Sequence, residues 1–375
     1  MSNLRKSVLN KNPSGFGLVR SPTDFTPLPP SDYFDTEEDI VTGNGSFHVY
    51  KKGNTGPILC CLHGGGYSGL TWALFAVEIC KNIECQVIAI DLRGHGSSST
   101  NDDSNLALAT LSRDVVDVLA KICENNEVPI ILIGHSMGGA VAVDAAHYID
   151  SIAGLCVIDV VEGTALEALS SMQNILRGRP SSFKSIENAI QWCFKSGQTR
   201  NIEAARISMP GQIIEVDNKE LLASSDSSNN FAIQEETEGF DETKEENFGK
   251  PPLPPKASSI PIVKSTTSTP TVAYAWRIDL KKTESFWTGW FQGLSQKFLD
   301  VPVPKILLLA NVNGLDTALT VGQMQGKFQF RVLSKSGHAI HEDQPHQVAE
   351  IISIYLVKHK LANPKDGFEI PKMFA

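Results

Sequence analysis

Gly134-His135-Ser136-Met137-Gly138 stands between an apolar run, Ile130–Ile133, and the small-residue stretch Met137–His147. A serine on a tight strand-to-helix turn presents its hydroxyl for attack, and glycines on both sides keep bulk out of the turn. A hydroxyl is almost inert at neutral pH, so Ser136 needs a base within hydrogen-bond reach and a third group that orients that base. The chain has nine histidines. His338, in Ser336-Gly337-His338-Ala339, follows the last sheet strand and comes after the serine in chain order, where hydrolases built this way carry the base. His341, three residues on, is its competitor. His135 is turned away by the elbow and reads as a supporting or packing group. His63 and His95 open and close glycine-rich turns and read as ordering backbone.

Two carboxylates compete for the orienting role. Asp159 ends the run Gly-Leu-Cys-Val-Ile-Asp, the strand after the serine's helix, while Asp316 trails the run Ile306–Ala310. In many relatives of this arrangement the acid follows that later strand, and the residue at the expected distance is Asn313. A neutral amide does not stabilise an imidazolium as a carboxylate does, so the spacing favours Asp159. The oxyanion formed on attack needs preorganised N–H donors. One is the amide of Met137, and the other comes from His63-Gly64-Gly65-Gly66-Tyr67, with Gly65 favoured and Gly66 the near alternative. No cofactor is expected, and no cluster has metal-ligand spacing.

Behind these residues the chain alternates apolar runs with amphipathic stretches. Ile58–Leu62, Val87–Asp91, Ile130–Ile133, Gly154–Val160, Ile306–Ala310 and Phe328–Leu333 read as strands, most of them apolar throughout. Trp72–Cys80, Leu111–Glu124, Met137–His147 and Val348–His359 have helical spacing. Strands apolar on both faces and separated by helices imply a mostly parallel sheet covered by helices on both faces, the α/β-hydrolase fold. Residues 1–40, rich in proline, read as an irregular arm laid on the body through Phe25, Tyr33 and Phe34. The core spans 41–163 and 301–375. Between the two parts, 164–300 reads as a helical cap, with Trp287, Trp290 and Phe291 as its aromatic centre. The cap contains a Ser-, Glu- and Pro-rich segment, 217–271, expected to be a disordered acidic insertion.

Composition narrows the partners. Lys+Arg number 33 against 42 Asp+Glu, a net charge of −9, which argues against a nucleic-acid surface. No apolar run approaches the ~20 residues of a membrane span. Seven cysteines without paired spacing read as free thiols in a reducing compartment. The expected location is therefore cytoplasmic, with the nucleus left open.

Several longer segments are more specific than the serine motif. Gly-His-Ser-Met-Gly-Gly-Ala, the run from Cys156 to Trp192, the block Tyr274–Leu280 with its following tryptophans, and Val321–Phe330 through Ser336–Asp343 together resemble the protein phosphatase methylesterase family. The likeness covers the chain outside 217–271. It implies an α/β-hydrolase that removes the methyl ester from the C-terminal leucine of the type 2A protein phosphatase catalytic subunit. It also implies catalysis by Ser136, Asp159 and His338 without a cofactor. A small-molecule carboxylesterase or lipase, or a phosphatase-binding regulatory protein with secondary catalysis, are the alternative expectations.

Overall fold

The computed structural model describes residues 23–124, 128–217, 272–311 and 314–370. Its twelve described strands are β1 (Thr36–Thr42), β2 (Gly45–Lys52), β3 (Ile58–Leu62), β4 (Gln86–Ile90), β5 (Ser99–Thr100), β6 (Ile130–His135), β7 (Ile152–Ile158), β8 (Ser182–Phe183), β9 (Ile213–Asp217), β10 (Val272–Trp276), β11 (Lys305–Leu309) and β12 (Gln329–Val332). The main sheet runs β1-β2-β4-β3-β6-β7-β11-β12, with the short β5 also on β2. Pairing is antiparallel from β1 through β2 to β4 and parallel from β4 onward.

The apolar runs lie where a two-sided burial requires them. Cys60, Leu62, Leu132, Leu155, Val157, Leu307 and Leu309 face one core. The alternate residues Leu59, Cys61, Ile131, Ile133, Cys156, Ile158, Ile306 and Leu308 face the other. The helices Leu108–Ile122 and Met137–Ala145 cover the first face; Ala73–Asn82 and Pro345–Lys358 cover the second. Complete burial of each such Leu or Ile side chain is worth about 1.5–3 kcal/mol, so the central strands are the rigid part of the molecule. All seven cysteines are free.

Three features depart from the sequence expectation. Thr36–Thr42, which takes in the last residues of the expected irregular arm, is an edge strand joined to β2 by the turn Gly43-Asn44. It escapes notice because an exposed edge can be polar throughout, and this one is mostly exposed. Before it, Tyr33 and Phe34 are buried as expected, and the Tyr33 hydroxyl donates to Glu203 Oε1 at 2.7 Å. Second, the cap is not purely helical: β8, β10 and β9 form an antiparallel sheet beside the helices Glu162–Arg177, Ile186–Lys195 and Ile202–Ser208. Asp217, at the expected start of the insertion, pairs with Val272; residues 218–271 lie outside the described residues. Third, Trp287, Trp290 and Phe291 join the core that also holds Leu132 and Leu309, rather than a core of the cap alone. Arg277 ties β10 to the core, donating to the carbonyls of Gly96 and Ser98 and to Asp103 Oδ2.

Candidate active site

The candidate residues converge at the C-terminal ends of the parallel strands, where an open α/β sheet leaves its crevice. Ser136 follows β6 with φ 53° and ψ −121°, a conformation L-residues seldom adopt. The two motif glycines make that turn possible. A methyl carbon on Gly134 would stand 2.2 Å from the Gly138 carbonyl oxygen, and one on Gly138 would stand 2.3 Å from that of Leu62. The Ser136 amide donates to the Ile158 carbonyl at 3.0 Å, holding the elbow against the next strand end.

Asp159 follows β7, beside β6. Its own φ is 52°, and its amide donates to the Leu308 carbonyl at 2.8 Å. One carboxylate oxygen, Oδ1, accepts from the Ala310 amide at 2.8 Å. The other, Oδ2, meets His338 Nδ1 at 2.8 Å. Burial pushes this carboxyl upward, yet the hydrogen bond and charge of His338 and the Ala310 amide together hold it below the usual value. A carboxylate that accepts at both oxygens fixes the imidazole tautomer with hydrogen on Nδ1, leaving Nε2 as the acceptor.

His338 sits on a loop pinned at several points. His135 Nε2–H donates to the His338 carbonyl at 2.9 Å, and Asp343 Oδ2 accepts from the Gly337 amide at 2.6 Å. Asp343 Oδ1 also accepts from Thr199 Oγ1 and the Arg200 amide of the cap, at 3.0 and 2.7 Å. The cap thus braces the histidine loop through one carboxylate. Nothing about Asp343 in the sequence distinguishes it from a solvated charge, although its place five residues after His338 in a glycine-containing loop suits a loop cap. Ser136 and His338 line one pocket, but Ser136 Oγ makes no side-chain hydrogen bond among the described residues. Catalytic hydrogen bonds of this kind commonly tighten only when substrate is bound.

The competitors lie elsewhere. His341 is buried, stacked on Trp72 at 4.2 Å between centroids, with Nε2 bonded to Thr71 Oγ1 at 2.9 Å. Burial pulls its pKa down to about 3, which leaves it neutral and inside the core. Asp316 caps the helix Thr317–Met324, accepting from the Leu319 amide at 2.9 Å and from Ser295 Oγ at 2.5 Å. Asn313 lies outside the described residues.

Two buried histidines order the glycine loop. His63 Nδ1–H donates to the Gly64 carbonyl, and its Nε2 accepts from the Leu92 amide. His95 Nδ1–H donates to the Arg93 carbonyl, and its Nε2 accepts from the Gly66 amide at 2.9 Å. Burial lowers the pKa of His95 to about 4 and pulls that of His63 well below its ordinary value, so both stay neutral. Gly66 is thereby occupied, whereas Gly65 lines the pocket next to Ser136 and Met137. The Met137 amide is at the first position of its helix, where no intrahelical acceptor exists.

The pocket has a volume of about 880 Å³ and a largely apolar wall that includes Met172, Ile175, Leu176, Trp287 and Phe291. Among the described residues, no group of three or more His, Cys, Asp or Glu could hold a metal ion, and no helix is long and apolar enough to cross a membrane.

Sheet order, elbow and crevice together define an α/β-hydrolase. A family model described as alpha/beta hydrolase matches residues 58–351. The solved structure of E-2-(acetamidomethylene)succinate hydrolase superposes with a TM-score of 0.60 over 86% of this chain and 99% of that one, at 17% identity, a likeness of fold alone. Protein phosphatase methylesterase 1 of Mus musculus is 48% identical over 92% of this chain and 88% of its own, and that of Homo sapiens 47% over the same shares. The chain belongs to the protein phosphatase methylesterase family, and it is a carboxylic ester hydrolase.

Proposed function

We propose that this enzyme removes the methyl ester from the C-terminal leucine of the type 2A protein phosphatase catalytic subunit through a Ser136 acyl-enzyme. Ser136 Oγ attacks the ester carbonyl carbon as His338 Nε2 takes its proton. Asp159 keeps the imidazole oriented and stabilises the imidazolium. The amides of Met137 and Gly65 receive the oxyanion. The tetrahedral intermediate collapses, His338 returns the proton to the leaving methoxide, and methanol departs. A water activated by His338 then attacks the acyl-enzyme and releases the free carboxylate. No cofactor enters either half-reaction.

The observation that carries this reading is the Asp159–His338 pair facing the same apolar pocket as the strained Ser136. A leucine side chain suits that wall of Met172, Ile175 and Leu176.

The test is methanol release from methylated phosphatase by wild type and Ser136→Ala, with labelling by a serine-directed fluorophosphonate alongside. Wild type should release methanol and take the label, and the variant should do neither. Residual turnover within about tenfold of wild type would remove Ser136 from its role, since loss of a triad nucleophile lowers turnover far more. Turnover of small esters with the methylated phosphatase untouched would favour the small-molecule carboxylesterase reading.

A further inference from the structure

Arg179 lies two residues beyond the cap helix Glu162–Arg177 and lines the pocket with Ser136. Its guanidinium carbon stands 4.8 Å from the centroid of the Trp276 ring. Trp276 is itself fixed, its indole N–H donating to the carbonyl of Pro180, the residue after Arg179, at 2.7 Å. A methyl carbon placed on Gly66 would lie 3.7 Å from Arg179 Nη1, so the guanidinium hangs over the glycine loop that carries Gly65. Burial pulls its pKa below the ordinary value; Tyr67 and Cys193 oppose that, and no carboxylate contributes. Among the described residues its side chain forms no ion pair. A stacked, half-buried guanidinium whose donors meet no acceptor among the described residues is held ready for an oxygen from outside.

The acyl side of a peptide ester carries such an oxygen close by. The carbonyl of the residue before the esterified one is attached three bonds from the ester carbon, whatever the peptide sequence. With the ester carbonyl at the Gly65 and Met137 amides, that second carbonyl falls within a few ångströms of the glycine loop. An acidic side chain would instead bring a full charge into a largely apolar pocket.

We propose that Arg179 donates to the amide carbonyl preceding the esterified residue, and so makes the enzyme prefer peptide esters over simple esters of the same acyl shape. The inference rests on the ester-hydrolase reading of Ser136 and adds a specificity determinant to it. A hydrogen bond from a charged donor, once lost, lowers kcat/KM by about 10–100-fold.

The experiment compares N-acetyl-leucine methyl ester with methyl 4-methylpentanoate, which has the same side-chain shape and leaving group but no amide. In wild type the first should exceed the second in kcat/KM. Arg179→Met, which can still pack on Trp276, should collapse that ratio by about 10–100-fold, mainly through KM. Arg179→Lys should keep part of it, and the exposed Arg177→Met should leave it unchanged. Thermal unfolding checks that each variant is folded. An unchanged ratio in Arg179→Met, or equal losses on both esters, overturns the proposal. Wild type inert toward both small esters overturns it as well. If the methylated phosphatase is also left untouched, the ester-hydrolase reading falls with it.

Discussion

Replacing Glu342 by glutamine should stabilise the enzyme on the alkaline side of neutrality and do little in mild acid. Glu342 is 1% exposed, behind the loop that carries His338. Its Oε1 accepts from Thr71 Oγ1 at 2.6 Å, and its Oε2 has no hydrogen-bond partner among the described residues. Burial raises its pKa from 4.5 to about 7, the nearby hydroxyls of Thr71, Ser208 and Thr199 opposing and Asp343 adding to the rise. A carboxyl whose folded pKa exceeds its unfolded value gives its full stability below the unfolded value and loses it as pH rises through the folded one. That rise is worth about 3 kcal/mol once the group is ionised in both states. Between pH 5 and pH 8 the loss is about 2–3 kcal/mol. Glutamine keeps the acceptor for Thr71 and carries no charge, so this loss vanishes in the variant. The buried histidines titrate identically in both proteins and cancel in the difference. Thermal unfolding of both proteins should therefore show Glu342→Gln gaining about 4 °C on wild type between pH 5 and pH 8. A difference that stays flat with pH would mean that Glu342 ionises normally, and its assignment as a buried neutral acid would be wrong.

Asp159→Asn should lower turnover by ~10³–10⁴, the scale seen when a serine triad loses its orienting charge, whereas Asp316→Asn should change it by less than about tenfold. The second variant keeps a residue that caps the helix equally well, so its unfolding should shift by less than about 1 kcal/mol; steady-state hydrolysis of one ester by both proteins decides between the carboxylates. Replacing 218–271 by Asn-Gly should leave the melting temperature and small-ester hydrolysis near wild type, because Asp217 and Val272 already face each other across β9 and β10 and a two-residue hairpin turn can close them. A protein unfolded by that replacement would show that the segment supports the fold.

How much was legible follows from which residues leave a periodic or chemical trace. β3, β6, β7 and β11 are read from their apolar runs because a strand covered on both faces must be apolar on both. β1 left no such trace: its outer residues meet water, and its sequence Thr-Glu-Glu-Asp-Ile-Val-Thr resembles a loop. β8 has two residues, too few for any period, and β9 and β10 are separated in sequence by a long insertion, so their pairing could not be inferred from spacing. Trp287, Trp290 and Phe291 read as the aromatic centre of the cap, but their partner surface, the core of the main sheet, is a tertiary fact. Ser136 stands out because its turn needs glycine, and His338 because it follows the last strand, whereas Arg179 and Asp343 sit among other charged residues and acquire meaning only from what lies opposite.

Asp159 illustrates why one member of the site is harder to read than another. Ser136 and Asp159 both have positive φ, on adjacent strand ends. For the serine the surrounding crowding is severe, and Gly134 and Gly138 announce it in the sequence. Aspartate enters the left-handed region more readily than most residues, so its turn carries no glycine signature. Each such residue stores about 1–3 kcal/mol of strain, which must be held by its surroundings. Here the holding bonds run in order along the sheet: the Ser136 amide reaches the end of β7, the Asp159 amide reaches β11, and the Asp159 carboxylate reaches the amide just past β11 and then His338. The parallel sheet therefore sets the three residues proposed as nucleophile, acid and base by one hydrogen-bonded succession of strand ends. Asp316, hydrogen-bonded to a helix N-terminus and to Ser295, stands outside that succession although it is closer to His338 in sequence.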